Sequence, residues 1–221
     1  KKTYGYARLY APDLCTLVAA GDVLLFCQTA DCGKIPWNDP IPATLRALSA
    51  RTGKTIWEFA AGNWTCGSPA DVFVVGDTAW VFTAKDYALA GIDLYSGSIQ
   101  KKYPAAAALD CAHHHRCYRN KATARYIFTA RRGIEVTDLR DGSIVLNHWV
   151  RGACRHGIVP CNGLLYAPPD PCMCYATAKI NGFHALASRP PAVEAAAADR
   201  LEQGPAYGTV PAGGEAGGAD W

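Results

Sequence analysis

Residues 93–99 read DLYSGSI, and residues 138–144 read DLRDGSI. Each heptapeptide lies between two short hydrophobic runs, and a similar glycine turn at residues 51–54 lies between two others. Glycine supplies the positive φ that a tight hairpin requires. These stretches therefore predict a series of β-hairpins rather than helices.

The hairpin turns return at a regular interval. Gly53, Gly97 and Gly142 are 44 and 45 residues apart, and a fourth unit begins at Asn162-Gly163. A repeat of this length, made of short strands and glycine turns, is typical of a β-propeller blade. The sequence thus predicts an all-β propeller of about four blades. The fourth repeat lacks a second turn, so we expect either a partial propeller or closure of the last blade by a strand from residues 1–20.

Composition divides the chain into two parts. Half of all residues are hydrophobic, which favours a globular repeat domain over residues 1–188. Residues 189–221 are instead dominated by Ala, Gly and Pro, which predicts a linker or flexible tail. The net charge of +3 is too small to indicate nucleic-acid binding, and no apolar run reaches the length of a membrane helix.

The first and last residues suggest a piece of a longer protein. The chain starts at Lys1-Lys2 without Met or a signal peptide, and it stops abruptly at Asp220-Trp221. Ten cysteines in 221 residues favour an oxidising compartment, in which cysteines form disulfides. We therefore expect a periplasmic or secreted location, with other domains of the parent chain as partners.

The stretch LSARTGKTIW, residues 48–57, resembles the repeat of quinoprotein-like (PQQ-binding-like) β-propellers. In that family a tryptophan docks between adjacent blades, and Trp57 is its counterpart here. The equivalent positions in the later blades are Lys101 and Leu146, which predicts a different docking there. The segment from HHHRCYRNKAT to DPCMCY is similar to large propeller proteins of planctomycete bacteria. The resemblance covers residues 20–188 and implies a propeller with no settled activity.

A quinone-dependent dehydrogenase is the enzymatic form of this resemblance. Its vicinal cysteine pair is missing, since the nearest sequence is Cys172-Met173-Cys174. A Cys-x-x-Cys-His haem motif is also missing from the sequence. Asp93, Asp138 and Asp141 lie in predicted hairpin turns, where Asp is favoured for local hydrogen bonding. PQQ and a metal ion therefore remain cofactors only of the alternative function.

A cluster of cysteines and histidines between residues 113 and 174 has three interpretations. Disulfides are the first, with Cys154 and Cys161 bracketing a short turn and Cys117 able to reach either one. A zinc or copper site is the second, and buried free thiols are the third. The candidate metal ligands are Cys117, Cys154, Cys161, Cys172, Cys174, His113 and His115.

Arginines are concentrated in the same part of the chain. If several lie on one rim of the propeller, they favour an anionic ligand such as a carboxylate, a phosphate or an acidic glycan. A solvated face with ordinary ion pairs is the alternative. The candidate ligand-binding residues are Arg116, Arg119, Arg151 and Arg155.

Two functions are consistent with these observations. The favoured one is a non-catalytic binding or assembly scaffold within a larger exported bacterial protein. The alternative is an oxidoreductase or metal-dependent enzyme that uses the cysteine-histidine cluster or PQQ. A bound quinone or copper-thiolate would be coloured, whereas a scaffold would not.

Overall fold

A computed structural model describes residues 15–30, 40–64, 69–109, 118–130, 132–154, 156–169 and 180–188. These residues form antiparallel β-sheets and a single short helix, α1 (Ala106–Leu109). Within them, no helix has the length and hydrophobicity needed to cross a membrane. The prediction of an all-β chain is confirmed.

The strands form four consecutive antiparallel sheets, each with its strands in chain order. The first sheet contains β1 (Cys15–Ala20), β2 (Val23–Thr29), β3 (Ile41–Ser49) and β4 (Thr55–Asn63). The second contains β5 (Val72–Val75), β6 (Thr78–Phe82), β7 (Ala88–Asp93) and β8 (Ile99–Pro104). The third contains β9 (Lys121–Ala122), β10 (Tyr126–Thr129), β11 (Ile134–Asp138) and β12 (Ile144–Asn147). The described part of the fourth contains β13 (Val159–Cys161), β14 (Leu164–Ala167) and β15 (His184–Ala187).

The three predicted glycine turns have the same geometry. Gly53, Gly97 and Gly142 have φ values of 68°, 75° and 76°. In each turn the glycine N–H donates to the carbonyl oxygen four residues earlier, at 2.8–3.0 Å. The residue that follows the accepting one donates its own N–H to a carbonyl oxygen in the turn between the first two strands of the same sheet. In the second sheet, for example, Leu94 N–H donates to the Asp77 carbonyl at 2.9 Å. The repeat predicted from the sequence is therefore a structural repeat.

Neighbouring sheets pack face to face, because residues alternate between the two faces of each strand. The first interface joins Leu25 and Leu45 of the first sheet to Val81 and Ile92 of the second, and all four side chains are buried. A second core joins the second and third sheets, and a third core joins the third and fourth. Face-to-face packing of successive four-stranded sheets is the architecture of a β-propeller.

Trp57 docks between the first two blades, as the resemblance implied. Its ring lies against Gly97, where an added Cβ would be 2.5 Å from Trp57 Cγ. Its Nε1 donates to the Leu94 carbonyl at 3.0 Å.

At the interface between the second and third blades, two residues share the docking role that Trp57 has at the first interface. Lys101 Nζ donates to the Leu139 carbonyl at 3.2 Å, while the Tyr103 ring covers Gly142. Tyr103 also donates through its hydroxyl to the Arg140 carbonyl at 2.9 Å. The second and third blades therefore dock differently from the first two, as the sequence predicted for the Lys101 position.

The first strands of neighbouring sheets lie next to each other, β1 beside β5 and β9 beside β13. Thr16 Oγ1 of β1 donates to the Ala70 carbonyl just before β5, at 2.5 Å. These first strands are thus the inner edges of the blades, where the sheets converge.

The contacts within the chain divide it into two compact units, Lys1–Ser188 and Arg189–Trp221. The sheets all lie in the first unit. The predicted tail at residues 189–221 lies outside the described residues, as do residues 1–14, where part of an incoming strand was expected.

Candidate functional site

A cleft opens where the inner strands of the second, third and fourth sheets converge. Its volume is about 370 Å³, which is within the size range of small-ligand pockets. We call it the inner cleft. Its lining residues are Asp71, Phe73, Arg119, Asn120, Lys121, Ala122 and Pro160.

Asp71 is the centre of the polar network in this cleft. Its side chain is 1% exposed, and its Oδ1 accepts a bond from Arg119 Nε at 2.9 Å. Its Oδ2 accepts a bond from the backbone N–H of Asn120 at 3.1 Å. The charge of this buried carboxylate is therefore compensated by a cation and a backbone donor, as burial requires.

The same network extends to the first sheet. An Nη atom of Arg119 lies 3.4 Å from Thr16 Oγ1, which itself bonds to the Ala70 carbonyl. Burial, with the Asp71 carboxylate as a second cause, raises the pKa of the nearby Cys27 thiol to about 12. Residues of three blades thus fix the cleft wall in one arrangement.

Asn120 is the one carboxamide on the wall of the cleft. The residue is 3% exposed, and neither its Oδ1 nor its Nδ2 has a hydrogen-bond partner among the described residues. A buried amide without partners costs about 1–3 kcal/mol. The unpaired Asn120 amide in the inner cleft therefore lowers the free energy of unfolding of the protein.

The open side of the cleft combines positive charge with apolar walls. The Arg119 side chain is 43% exposed despite its ion pair, and Lys121 is half-buried. Phe73, Ala122 and Pro160 are also half-buried and form the apolar part of the lining. Apolar walls with a few convergent polar groups are the usual form of a binding site, and the cation at Lys121 favours an anionic group.

The predicted ligand-binding arginines are placed differently from one another. Arg119 lies in the inner cleft, whereas Arg151 is 2% exposed. Arg116 and Arg155 lie outside the described residues. The described structure therefore brings one of these four arginines to the cleft.

Two further arginines of the basic segment are bound at the opposite end of the third sheet. Arg125 and Arg140 both donate to the Asp138 carboxylate, at 2.8 Å and 3.1 Å. Asp138 also accepts the Arg140 backbone N–H at 2.9 Å. This is the local turn bonding that the sequence predicted for the hairpin aspartates, and it gives both arginines a structural role.

The cysteine-histidine cluster is only partly described. Cys154 is half-buried and Cys161 is exposed in β13. The Cys161 thiol is free in the part of the chain that the structure describes, so no Cys154–Cys161 bridge is present there. The disulfide interpretation otherwise stays a prediction. The other candidates lie outside the described residues: Cys117, Cys172, Cys174, His113 and His115.

A metal site was the second interpretation of that cluster. Among the described residues, no group of three or more His, Cys, Asp or Glu side chains is arranged to hold a metal ion. Five of the seven predicted ligands are outside that part of the chain. The metal interpretation thus stays a prediction.

Sequence reasoning did not identify Asp71 as a site residue. Asp71 and Arg119 are 48 residues apart in sequence, and no local motif connects them. The available signal was a single acidic residue between Ala70 and Val72, which are both buried. Such a charge in an apolar segment requires a partner, but its identity depends on how the blades stack.

Comparison with known proteins finds similarity only at the level of solved structures. No family model matches the chain, and no match is found among curated proteins. The computationally designed Ika4 protein is similar, with a TM-score of 0.47 and 11% identity over 80% of this chain and 93% of that one. BamB from Moraxella catarrhalis has a TM-score of 0.38 and 17% identity over 72% of this chain. The β-propeller domain of Cps50 (Swd1) from Myceliophteria thermophila has a TM-score of 0.42 and 17% identity over 71% of this chain.

The chain spans 55% of that BamB structure and 47% of that Cps50 structure. These similarities are too distant to assign a function. The sheets, their order and their interfaces define the protein as a β-propeller.

Proposed function

We propose that this chain is a non-catalytic β-propeller module that binds an acidic segment of a protein partner, or of another domain of its parent, in the inner cleft. The observation that supports this most is the fixed network of Asp71, Arg119 and Thr16. It joins three blades at the wall of an open cavity whose lining also carries Lys121. A rigid frame lowers the entropy cost of binding.

The cleft chemistry favours a carboxylate next to an apolar group. Arg119 is already neutralised by Asp71. No acidic side chain among the described residues pairs with Lys121, so Lys121 supplies the positive charge on the lining. An acidic side chain of the partner pairs with Lys121, while a neighbouring apolar side chain packs against Phe73 and Pro160. Binding of this type weakens as salt concentration rises.

A fluorescence-anisotropy titration tests this proposal. The probe is a labelled mixed-sequence peptide library with one central Glu, and the control library carries Gln at that position. We expect saturable binding of the Glu library and at least a roughly tenfold weaker affinity in Lys121→Gln. Lys102→Gln is the matched control, because Lys102 is a half-exposed lysine on β8 that pairs with Asp86.

Equal binding of both libraries, or an unchanged affinity in Lys121→Gln, would contradict the proposal. Metal analysis and an absorbance spectrum of the native protein test the enzymatic alternative directly. A stoichiometric metal or a visible chromophore would replace the scaffold by an oxidoreductase or metal-dependent enzyme. The scaffold predicts neither.

The proposal also includes the type of repeat and the cellular location that were inferred from the sequence. The module consists of quinoprotein-like repeats, as the Trp57 docking supports. It belongs to an exported bacterial protein, for which the ten cysteines are the argument. Alkylation of the denatured protein without reductant tests export, since labelling of all ten thiols would argue against an oxidising compartment.

A further inference from the structure

Equivalent residues in the four sheets can be aligned from the hairpin turns. The second strand of each sheet begins directly after its first turn, at Val23, Thr78, Tyr126 and Leu164. In the first three sheets the first residue of this strand is on the face that packs against the following sheet, and in the last three the next residue is on the face that packs against the preceding sheet. Each blade therefore has a leading face, directed at the preceding blade, and a trailing face, directed at the following blade.

On the leading faces of the second and third sheets, the residues of the second strand are buried. Ala79 and Val81 of the second sheet are 0% and 1% exposed, and Ile127 of the third sheet is 0% exposed. The corresponding residues of the first sheet, Leu24 and Phe26, are only half-buried.

The first leading face continues onto β1 and β3. Leu17 pairs with Phe26 across β1 and β2, and its side chain is 64% exposed. Leu48 pairs with Leu24 across β2 and β3 and is half-buried. The Arg46–Glu58 ion pair also lies on this face, because Arg46 pairs with Phe26 across β2 and β3. The first leading face thus has an apolar strip, next to this ion pair, that lacks the cover given to its equivalents.

The last trailing face is likewise more exposed than its equivalents in the other blades. Tyr166 of β14 is half-buried, whereas its equivalents Leu25 and Trp80 are 0% and 3% exposed. Its cross-strand neighbour Val159 is 54% exposed, and Ala185 on the other side is also exposed. The strand positions on this face, as far as the structure describes it, carry no charge: Val159, Cys161, Leu164, Tyr166, Ala185 and Ala187.

We propose that the last trailing face of one copy packs against the first leading face of a second copy of this chain. The same kind of contact already exists within the chain, because each interface between neighbouring blades joins the trailing face of one blade to the leading face of the next. Two copies form two such junctions and close a ring of eight blades, which lies within the usual range for propellers. The interface is heterologous, so closure requires both junctions at once.

Light scattering after size exclusion measures the oligomeric state. We expect a species of twice the 23.6 kDa mass of the chain. Leu24→Arg on the leading face and Tyr166→Arg on the trailing face each place a charge in the junction. Each should raise the dimer dissociation constant by at least about tenfold, because an unpaired charge is buried. Leu146→Arg is the control, since Leu146 is 46% exposed on β12, away from both faces.

Mixing the two charged variants separates this geometry from a symmetric one. One junction of the mixed pair combines the unmodified trailing face of Leu24→Arg with the unmodified leading face of Tyr166→Arg. A heterologous interface therefore predicts that dimer partly returns on mixing. An interface between two leading faces predicts that Tyr166→Arg dimerises alone and that mixing restores nothing.

Chemical crosslinking gives an independent readout that does not depend on destabilising variants. A Cβ added at Gly21 of the first sheet would be 3.6 Å from the hydroxyl oxygen of Tyr95 in the second. The equivalents of Gly21 and Tyr95 at the proposed junction are Asn162 of one copy and Arg51 of the other. Cys161, next to Asn162, is exposed and free, so Arg51→Cys should give an intermolecular bismaleimide link that Cys161→Ser removes.

A wild-type protein that is monomeric at every accessible concentration would overturn the proposal and would indicate that other parts of the parent chain cover both faces. Long filaments instead of a closed dimer would also overturn it, because the junctions would then not close. A dimer unaffected by Leu24→Arg and Tyr166→Arg would place the interface elsewhere. Circular dichroism of each variant confirms that loss of dimer is not loss of fold.

Discussion

Asp71 and Arg119 show how a single ion pair can set the position of several blades. The carboxylate belongs to the second blade, the guanidinium precedes the third, and Thr16 of the first blade lies beside it. Asp71 is fully buried while Arg119 remains partly exposed. The pair therefore matters mainly because it compensates a charge that cannot reach water.

Arg119→Ala tests this role. Removal of the cation leaves the buried Asp71 carboxylate with fewer donors, so we expect a loss of about 2 kcal/mol in the free energy of unfolding. Lys102→Ala is the control, because the Lys102–Asp86 pair is exposed at 48% and 45% and should contribute less than about 1 kcal/mol. Urea unfolding measures both. Equal losses would mean that burial of Asp71 adds nothing.

Cys27 provides a pH-dependent prediction. Its folded-state pKa is raised from 9.0 to about 12, chiefly by burial. The protonated thiol is therefore favoured by folding, and this stabilisation is complete below pH 9 and is lost as the pH rises towards 12. We expect the melting temperature to fall more steeply over that interval in the wild type than in Cys27→Ala.

Cys161→Ala is the matched control for this series, because the Cys161 thiol is exposed. It should leave the steep decline unchanged. A wild type and a Cys27→Ala variant with parallel pH profiles would show that the thiol does not titrate with unfolding.

At the scale of the element, the hairpin turn serves two purposes. The left-handed glycine closes the hairpin, and its missing side chain leaves room for an aromatic ring of the preceding blade. Gly97 receives Trp57 and Gly142 receives Tyr103, whereas Gly53 has no atom within 4 Å of an added Cβ. The same kind of turn therefore packs against an aromatic ring in the second and third blades but not in the first.

Alanine substitutions separate the backbone requirement for glycine from the space that the aromatic ring requires. Gly53→Ala should cost about 1 kcal/mol, the strain of a left-handed alanine. Gly97→Ala has a similar φ but must also displace Trp57, which should add about 1–3 kcal/mol. Thermal or denaturant unfolding of the two variants gives the difference. A Gly97→Ala variant no less stable than Gly53→Ala would mean that the Trp57 contact is loose.

The elements that could be predicted are those with a strong local signal. The glycine turns and the strands beside them were predicted, because their hydrophobic alternation and turn chemistry are contained in a few residues. The first strand of a blade carries far less signal, and β9 has only two residues. The division of the docking role between Lys101 and Tyr103 was also hidden, since it depends on the distance between two sheets.

The candidate site was predictable only in part for the same reason. Arg119 was identified through the high local density of arginines. Asp71 and Asn120 meet through a bond between residues 49 apart, which no local pattern encodes. Arg151 looked like its neighbours in sequence, but the fold buries it.

At the scale of the whole molecule, the blades form one unit and the Ala/Gly/Pro-rich segment another. If residues 189–221 contribute no blade packing, a chain that ends at Ser188 should have nearly the same stability. We expect its melting temperature to differ by less than about 2 °C from that of the full chain, which corresponds to well under 1 kcal/mol. Scanning calorimetry checks this. A drop of more than about 5 °C would instead make that segment part of the propeller.

The strand order within each sheet also has a consequence for synthesis on the ribosome. Because the strands of a sheet pair in the order in which they are translated, no blade has to wait for a distant segment before it folds. The first core needs nothing beyond Leu94, so it can form while the third sheet is still being made. Newly made apolar faces are then covered one after another, which shortens the time for which they can aggregate.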